Sequence, residues 1–295
     1  MRVEYREEPC RSALNRVEGM PFSWSLNPYM GCVHRCTFCY VRSFERRADR
    51  PSDDRYGRSI RVKVNVADVL RRELARPSWR RETVAIGAAT DPYQPAEGRY
   101  RLTRACLEEL ARARTPLSVI TRGPLVVRDV DVLEAAARFG AAVAFSIPTL
   151  DERVWRATEP GTAPPRQRLR ALRALAAAGI ETCVALAPLL PGLSDRPEQL
   201  AAVVAAAREA GAGGVWGRHL YLQPGTREHF LEALAREWPE ELARYEELYR
   251  GRAYLRAADT HPVVELVRRL AAAERLGARP RPRPQREPEQ LRLAV

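Results

Sequence analysis

The chain has 295 residues, 45% of them hydrophobic, with 49 Lys and Arg against 37 Asp and Glu for a formal net charge of +12, a balance that fits one or two globular domains with ample core. No apolar run approaches the ~20 residues of a membrane helix, the start Met-Arg-Val-Glu-Tyr-Arg-Glu-Glu has no signal-peptide core, and six cysteines make a poor disulfide framework at this length, so a cytoplasmic protein with reduced thiols is expected. Every basic residue except Lys63 is arginine, a skew that looks like GC-rich coding bias, so charge alone points only loosely toward nucleic acid.

Residues 1–20 read as an N-terminal extension. From 21 to 236, short runs of β-branched and small apolar residues alternate with stretches of helical period, the pattern of repeated βα units. The first expected strand, Phe22–Leu26, leads into a cysteine-rich loop and a helix at Val41–Arg47. An inserted strand, Ser59–Asn65, and helix, Val66–Leu74, come next. Strands are then expected at Thr83–Ala88, Leu117–Thr121, Ala142–Ile147, Glu181–Ala187 and Gly214–Leu220. Between and after them lie helical patterns at Thr103–Arg112, Val130–Arg138, Pro165–Ala178, Arg196–Glu209 and Arg227–Arg236. The pattern at Pro165 is the clearest: Pro164 and Pro165 open it, Leu169, Leu172 and Leu175 share a face, and Gly179 closes it. Glu240–Leu255 and His261–Leu276 read as two helices of a C-terminal segment, 237–276. The stretch 277–295, with its Arg-Pro-Arg-Pro-Arg-Pro run, reads as an extended basic tail without order. An α/β chain of this kind curls into a barrel or open arc, with ligands at the C-terminal strand ends.

The loop after the first strand is Asn27-Pro-Tyr-Met-Gly-Cys-Val-His-Arg-Cys-Thr-Phe-Cys-Tyr40. Cys32, Cys36 and Cys39, spaced C-x3-C-x2-C, can wrap three irons of a cubane cluster and leave the fourth without a protein ligand. Structural zinc is a competing reading, yet zinc is four-coordinate and takes paired cysteines; only His34 or distant Cys10 could complete such a site. Buried thiols without metal are a further alternative. Cys10, Cys106 and Cys183 stand alone and read as small buried hydrophobes, Cys183 on a strand face shared with Ala185 and Ala187.

Polar residues also gather at the other strand ends: Ala89-Thr-Asp-Pro-Tyr-Gln-Pro-Ala-Glu97, Thr121-Arg-Gly-Pro124, Ser146, and Ala157-Thr-Glu-Pro-Gly-Thr162. In the first of these, a proline-bracketed loop is expected to hold Asp91, Tyr93, Gln94 and Glu97 over the barrel mouth, with Asp91, Tyr93 and Glu97 as catalytic candidates.

The cysteine spacing, with Phe38 just before the third cysteine, resembles the signature of the radical S-adenosylmethionine superfamily. Asn27-Pro-Tyr-x-Gly-Cys, Ala89-Thr-Asp-Pro-Tyr-Gln-Pro, Ile120-Thr-Arg, Phe145-Ser-Ile and Glu159-Pro-Gly-Thr narrow the resemblance to its spore photoproduct lyase-like branch, over about residues 27–191. The resemblance implies a partial (β/α)6 TIM-like barrel with C-terminal helices and a [4Fe–4S] cluster on Cys32, Cys36 and Cys39. It also implies S-adenosylmethionine chelated at the open iron, and an external one-electron reductant of flavodoxin or ferredoxin type. Reductive cleavage would give methionine and a 5′-deoxyadenosyl radical that takes hydrogen from a substrate. Phe38, Thr90, Arg122 and Ser146 match cofactor-facing positions, Thr90 as a hydroxyl, Arg122 as the partner of the cofactor's carboxylate, and Ser146 at its methionine or ribose end. True spore photoproduct lyases carry a hydrogen-donating cysteine where this chain has Ala88, which leaves the substrate open between nucleic acid and a peptide or small molecule. From a different class comes a non-catalytic zinc or iron–sulfur module that binds nucleic acid.

Overall fold

The computed structural model describes residues 3–278. In chain order its elements are β1 (Glu4–Glu8), β2 (Leu14–Arg16), β3 (Trp24–Leu26), β4 (Tyr29–Met30), α1 (Val41–Arg47), β5 (Ser59–Lys63), α2 (Val66–Leu74), β6 (Val84–Ile86), α3 (Ala96–Tyr100), α4 (Leu102–Arg112) and β7 (Leu117–Thr121). They continue as α5 (Val130–Ala137), β8 (Ala141–Ser146), α6 (Glu152–Thr158), α7 (Pro165–Ala177), β9 (Glu181–Leu189), α8 (Pro197–Glu209), β10 (Gly214–His219), α9 (Thr226–Glu237), α10 (Leu242–Leu248) and α11 (Ala257–Ala273). The main sheet runs β10-β9-β8-β7-β6-β3-β2. From β3 to β10 every neighbouring pair is parallel, and β2 alone runs antiparallel on the edge. Six parallel strands in chain order make the expected partial (β/α)6 barrel.

Alternation along the strands sorts side chains into two layers. Leu26, Ile86, Val119, Val143, Phe145, Val184 and Leu186 turn outward into one core with Leu107, Leu133, Leu172 and Val203 of the helices. The opposite faces line the barrel interior, mostly with small residues. Ser25, Ala85, Ser118 and Ala142 share one row, Ile120, Ala144, Cys183 and Gly214 the next, and Ser146, Ala185 and Trp216 a third nearer the mouth. Cys183 thus faces the interior, buried among small neighbours.

Three expectations are corrected. The N-terminal residues are more than an extension: β1 pairs with β5 in a second, three-stranded sheet, β1-β5-β4, and β2 pairs with β3 in the main one, so both sheets need them. The helix expected at Glu240–Leu255 is a 3-10 turn, Pro239–Glu241, followed by α10, which stops at Leu248 just before the left-handed Gly251. Gly277, assigned to the tail, bridges to Gly214 and covers the free edge of β10. The Arg-Pro run lies outside the described residues.

The turn out of β6 depends on Gly87, whose φ is +92°; a Cβ there would stand 2.3 Å from the Ile120 carbonyl oxygen and 2.6 Å from Pro92 Cδ. Gly87→Ala is expected to destabilise the chain by about 2 kcal/mol or more, read as a lower midpoint in urea unfolding.

Candidate cluster and cofactor site

The chain leaves β3 at Leu26 and enters the cysteine loop, which therefore stands at the C-terminal end of the parallel strands. Side chains from elsewhere hold its backbone. The Gly31 carbonyl accepts from Thr90 Oγ1 at 2.6 Å and from Gln94 Nε2 at 3.1 Å. Gln94 Oε1 takes the Val33 amide at 3.2 Å, and Asn27 Oδ1 takes the Ala89 amide at 2.8 Å. On the far side the Gly161 amide donates to the His34 carbonyl at 3.0 Å, and the Thr37 amide donates to the Thr158 carbonyl at 2.9 Å. A Cβ on Gly161 would lie 2.4 Å from the Val33 carbonyl oxygen, so glycine is needed for this approach.

These ties gather three free thiols, Cys32 and Cys36 buried and Cys39 half-buried. Burial pushes the Cys36 and Cys39 thiols up, opposed by Arg122 at Cys36 and by the Tyr56 hydroxyl at Cys39. Metal would reverse that preference, because it binds the thiolate. Among the described residues no three His, Cys, Asp or Glu side chains converge on one ion. A lone zinc would draw its sulfurs to about 2.3 Å, whereas a cubane takes each sulfur on a different iron. Of the fourth ligands that zinc would need, His34 lies against Cys32 as well as Asp91, whereas Cys10 is remote. His34 Nδ1 faces Asp91 Oδ2 at 3.3 Å, and Cys10 packs against the main core beside Asn65.

Arg122 follows β7 and extends the row of Ser146, Ala185 and Trp216. Its Nη2 donates to the Ala187 carbonyl at 3.0 Å, its Nε lies 3.4 Å from Glu159 Oε2, and its guanidinium sits 5.5 Å from the Phe38 ring centre. Glu159 is fully buried and held from below by Arg168 of α7, at 2.5 Å. Arg168 also binds the Ser146 carbonyl at 2.8 Å and Thr162 Oγ1. Two buried atoms of this group, Arg122 Nε and Glu159 Oε1, lack a hydrogen-bond partner, and both residues act electrostatically on Cys36. A donor and an acceptor left open beside three thiols suit a ligand that carries a carboxylate together with an ammonium or hydroxyl group.

The other expected site residues have different work. Asp91 is buried and fully engaged: Oδ1 accepts from Thr121 Oγ1 at 2.6 Å and the Tyr93 amide at 2.9 Å, and Oδ2 from the Arg122 amide at 2.7 Å. Tyr93 turns its hydroxyl to Asp129 Oδ2 at 3.1 Å. Glu97, fully buried, accepts from Tyr29 at 2.5 Å, the Thr103 amide at 2.8 Å and Arg128 at 2.7 Å. The expectation that these three hang over the mouth is corrected. The proline-bracketed loop turns inward, where a buried carboxylate must collect donors. Thr90, expected to face the cofactor, holds the Gly31 carbonyl. Sequence reading missed Glu159 as a site group; its motif was visible, but the open oxygen depends on Arg168, which arrives from another helix. It also missed Tyr40, whose hydroxyl donates to the carbonyl of Ala88.

A six-strand parallel barrel thus carries three thiols at its mouth, beside an arginine and a carboxylate with unpartnered atoms. The radical SAM superfamily model matches residues 26–204, and the chain belongs to that superfamily. Its cofactors are a [4Fe–4S] cluster and S-adenosylmethionine, and it requires an external reductant. An uncharacterised protein of Mycobacterium tuberculosis is 42% identical over 286 residues, spanning 96% of this chain and 84% of the relative. An uncharacterised protein of Acidianus two-tailed virus is 28% identical over 223 residues, 72% of this chain and 71% of the relative. Among solved structures, a spore photoproduct lyase variant with bound AdoMet and dinucleoside spore photoproduct shares the fold, with a TM-score of 0.70 at 17% identity over 93% of this chain and 80% of that one. No helix among the described residues is long and apolar enough to cross a membrane.

Asp91 yields a pH signature. Burial pushes its carboxyl up, but the His34 charge and the bonds from His34, Thr121 and the Arg122 amide outweigh that and hold it at about 2. Its folded value lies below the unfolded one, so its contribution of roughly 2 kcal/mol is present above pH ~4 and lost as pH falls toward 2. Asp91→Asn is expected to flatten this acid limb and to cost about 3 kcal/mol at neutral pH, measured by urea unfolding across pH 2 to 7 (about this range, set by the two values).

Proposed function

We propose that the enzyme reductively cleaves S-adenosylmethionine at a [4Fe–4S] cluster held by Cys32, Cys36 and Cys39, and abstracts hydrogen from a nucleic-acid substrate. The observation that carries the first part is the open pair of atoms, Arg122 Nε and Glu159 Oε1, beside the three thiols. When bound, the cluster supplies the electron that splits the sulfonium into methionine and a 5′-deoxyadenosyl radical. Arg122 binds the cofactor's carboxylate through its fork. Glu159 accepts from an ammonium or hydroxyl group, Phe38 backs the Arg122 guanidinium, and Ser146 lines the barrel wall beneath. Thr90, Gln94, Asn27 and Asp91 position the loop and Arg122, and the small-residue interior leaves room for a ligand at the mouth while excluding bulk water.

The nucleic-acid part rests on the rim. Tyr40 and Phe44 are exposed and stack edge to face at 5.6 Å, with the Arg47 guanidinium 4.8 Å from the Phe44 ring centre. Tyr221 and the exposed Tyr254 stack at 4.3 Å, and the charges of Arg47 and Arg218 both act on Tyr221. Exposed rings interleaved with arginine suit unstacked bases and their phosphates.

Anaerobically reconstituted chain is expected to carry about four irons with acid-labile sulfide and to form 5′-deoxyadenosine under dithionite. Cys36→Ala abolishes both, and Arg122→Ala weakens S-adenosylmethionine binding about tenfold with iron content unchanged. About one zinc per chain without sulfide would overturn the reading. Single-stranded oligonucleotide binding, followed by anisotropy on the full chain, is expected to weaken with rising salt. It should fall about tenfold in Tyr254→Ala; affinity unchanged in that variant would count against the rim.

A further inference from the structure

Behind Cys39 lies a group that neither the cluster motif nor the cofactor pocket uses. The segment 48–58, between α1 and β5, folds back over the cysteine loop and buries Tyr56 against Cys32, Val41 and Cys39. The Tyr56 hydroxyl lies 3.6 Å from Cys39 Sγ. The Tyr56 ring is covered in turn by Arg42, whose guanidinium carbon is 4.7 Å from the ring centre. Arg42 is itself only 1% exposed. It donates to the carbonyls of Ser52 at 2.7 Å and Asp53 at 2.8 Å, which hold the covering segment in place, and reaches the Cys36 carbonyl at 3.4 Å. No carboxylate pairs with it among its hydrogen bonds.

We infer that Tyr56 donates a hydrogen bond to the cluster-bound Cys39 sulfur and, together with the buried Arg42 charge, raises the reduction potential of the cluster. The inference rests on the cluster reading above. A cysteine sulfur bound to iron is deprotonated and can only accept, so of the two atoms 3.6 Å apart the phenol must be the donor. Reduction adds one electron, from an external one-electron donor, to the iron–sulfur core and increases the negative charge carried by the sulfurs. A donor on sulfur and a nearby desolvated cation both stabilise the reduced state more than the oxidised one. Tyr56 is a tuning residue, acting through Cys39 and not on the cofactor.

The test uses the reconstituted full chain and Tyr56→Phe, which keeps the ring beneath Arg42 and removes the hydroxyl alone. With iron and sulfide content unchanged, the variant should show a more negative midpoint in an EPR-monitored redox titration. At the wild-type midpoint its reduced-to-oxidised ratio should fall about threefold to tenfold, a tenfold fall corresponding to about 59 mV for one electron. Electron–nuclear resonance in deuterated buffer should find an exchangeable deuteron coupled to the wild-type cluster and missing from the variant. An unchanged midpoint with the deuteron retained overturns the inference. Should Tyr56→Phe fail to hold a cluster, 3-fluorotyrosine at position 56 decides, since its stronger donor must move the midpoint upward, and no movement overturns the inference. A wild-type chain that forms no [4Fe–4S] cluster would sink the functional reading and this one together, whereas a cluster that cleaves S-adenosylmethionine with a midpoint indifferent to Tyr56 would sink this one alone.

Discussion

Three thiols can share one cluster only while the loop that carries them keeps a single shape, and a loop buried at a barrel mouth can keep a shape only if its backbone polar groups find partners. Here the partners are side chains from other strand ends. Thr90 and Gln94 meet on the Gly31 carbonyl, Asn27 reaches the Ala89 amide, and the Gly161 amide closes on the His34 carbonyl. The polar residues around the mouth are thus spent largely on the loop. What remains without a hydrogen-bond partner is a small set that the loop does not need, Arg122 Nε and Glu159 Oε1 foremost.

Buried arginine does much of the remaining positioning. Arg168 joins the end of β8 to the Glu159 loop, Arg42 pins the segment over Cys39, and Arg122 links β7 to the end of β9. A guanidinium offers five donors in a rigid fork, so one side chain can tie several carbonyls at once. Removing it from water is costly unless those donors are satisfied. The arginine excess that reads as coding bias therefore also supplies internal clamps, which net charge cannot distinguish from solvated surface.

The shared fold with spore photoproduct lyase does not carry a substrate across, because barrels of one design host many reactions through their loops. In this chain the Ala88 carbonyl, just past the end of β6, receives the Tyr40 hydroxyl. The interior below is lined mostly by small residues, Ala85, Ser118, Ala142, Ala144 and Ala185, with Ile120 and Trp216 as the large exceptions.

The repeating βα pattern, the strands at Leu117–Thr121 and Glu181, the helices at Val41–Arg47 and Val66–Leu74, and the cysteine trio were legible residue by residue, because periodicity and ligand spacing are local properties of a chain. The burial of Asp91, Tyr93 and Glu97 was not, since their partners Thr121, Asp129 and Arg128 come from elements that meet them only on folding. The pairing of β1 with β5, the Arg168–Glu159 contact and the Tyr56 hydroxyl at Cys39 belong to the same class. A motif states which chemistry a chain carries; which way each polar side chain turns is settled by where its donors and acceptors lie in space, and no linear spacing records that.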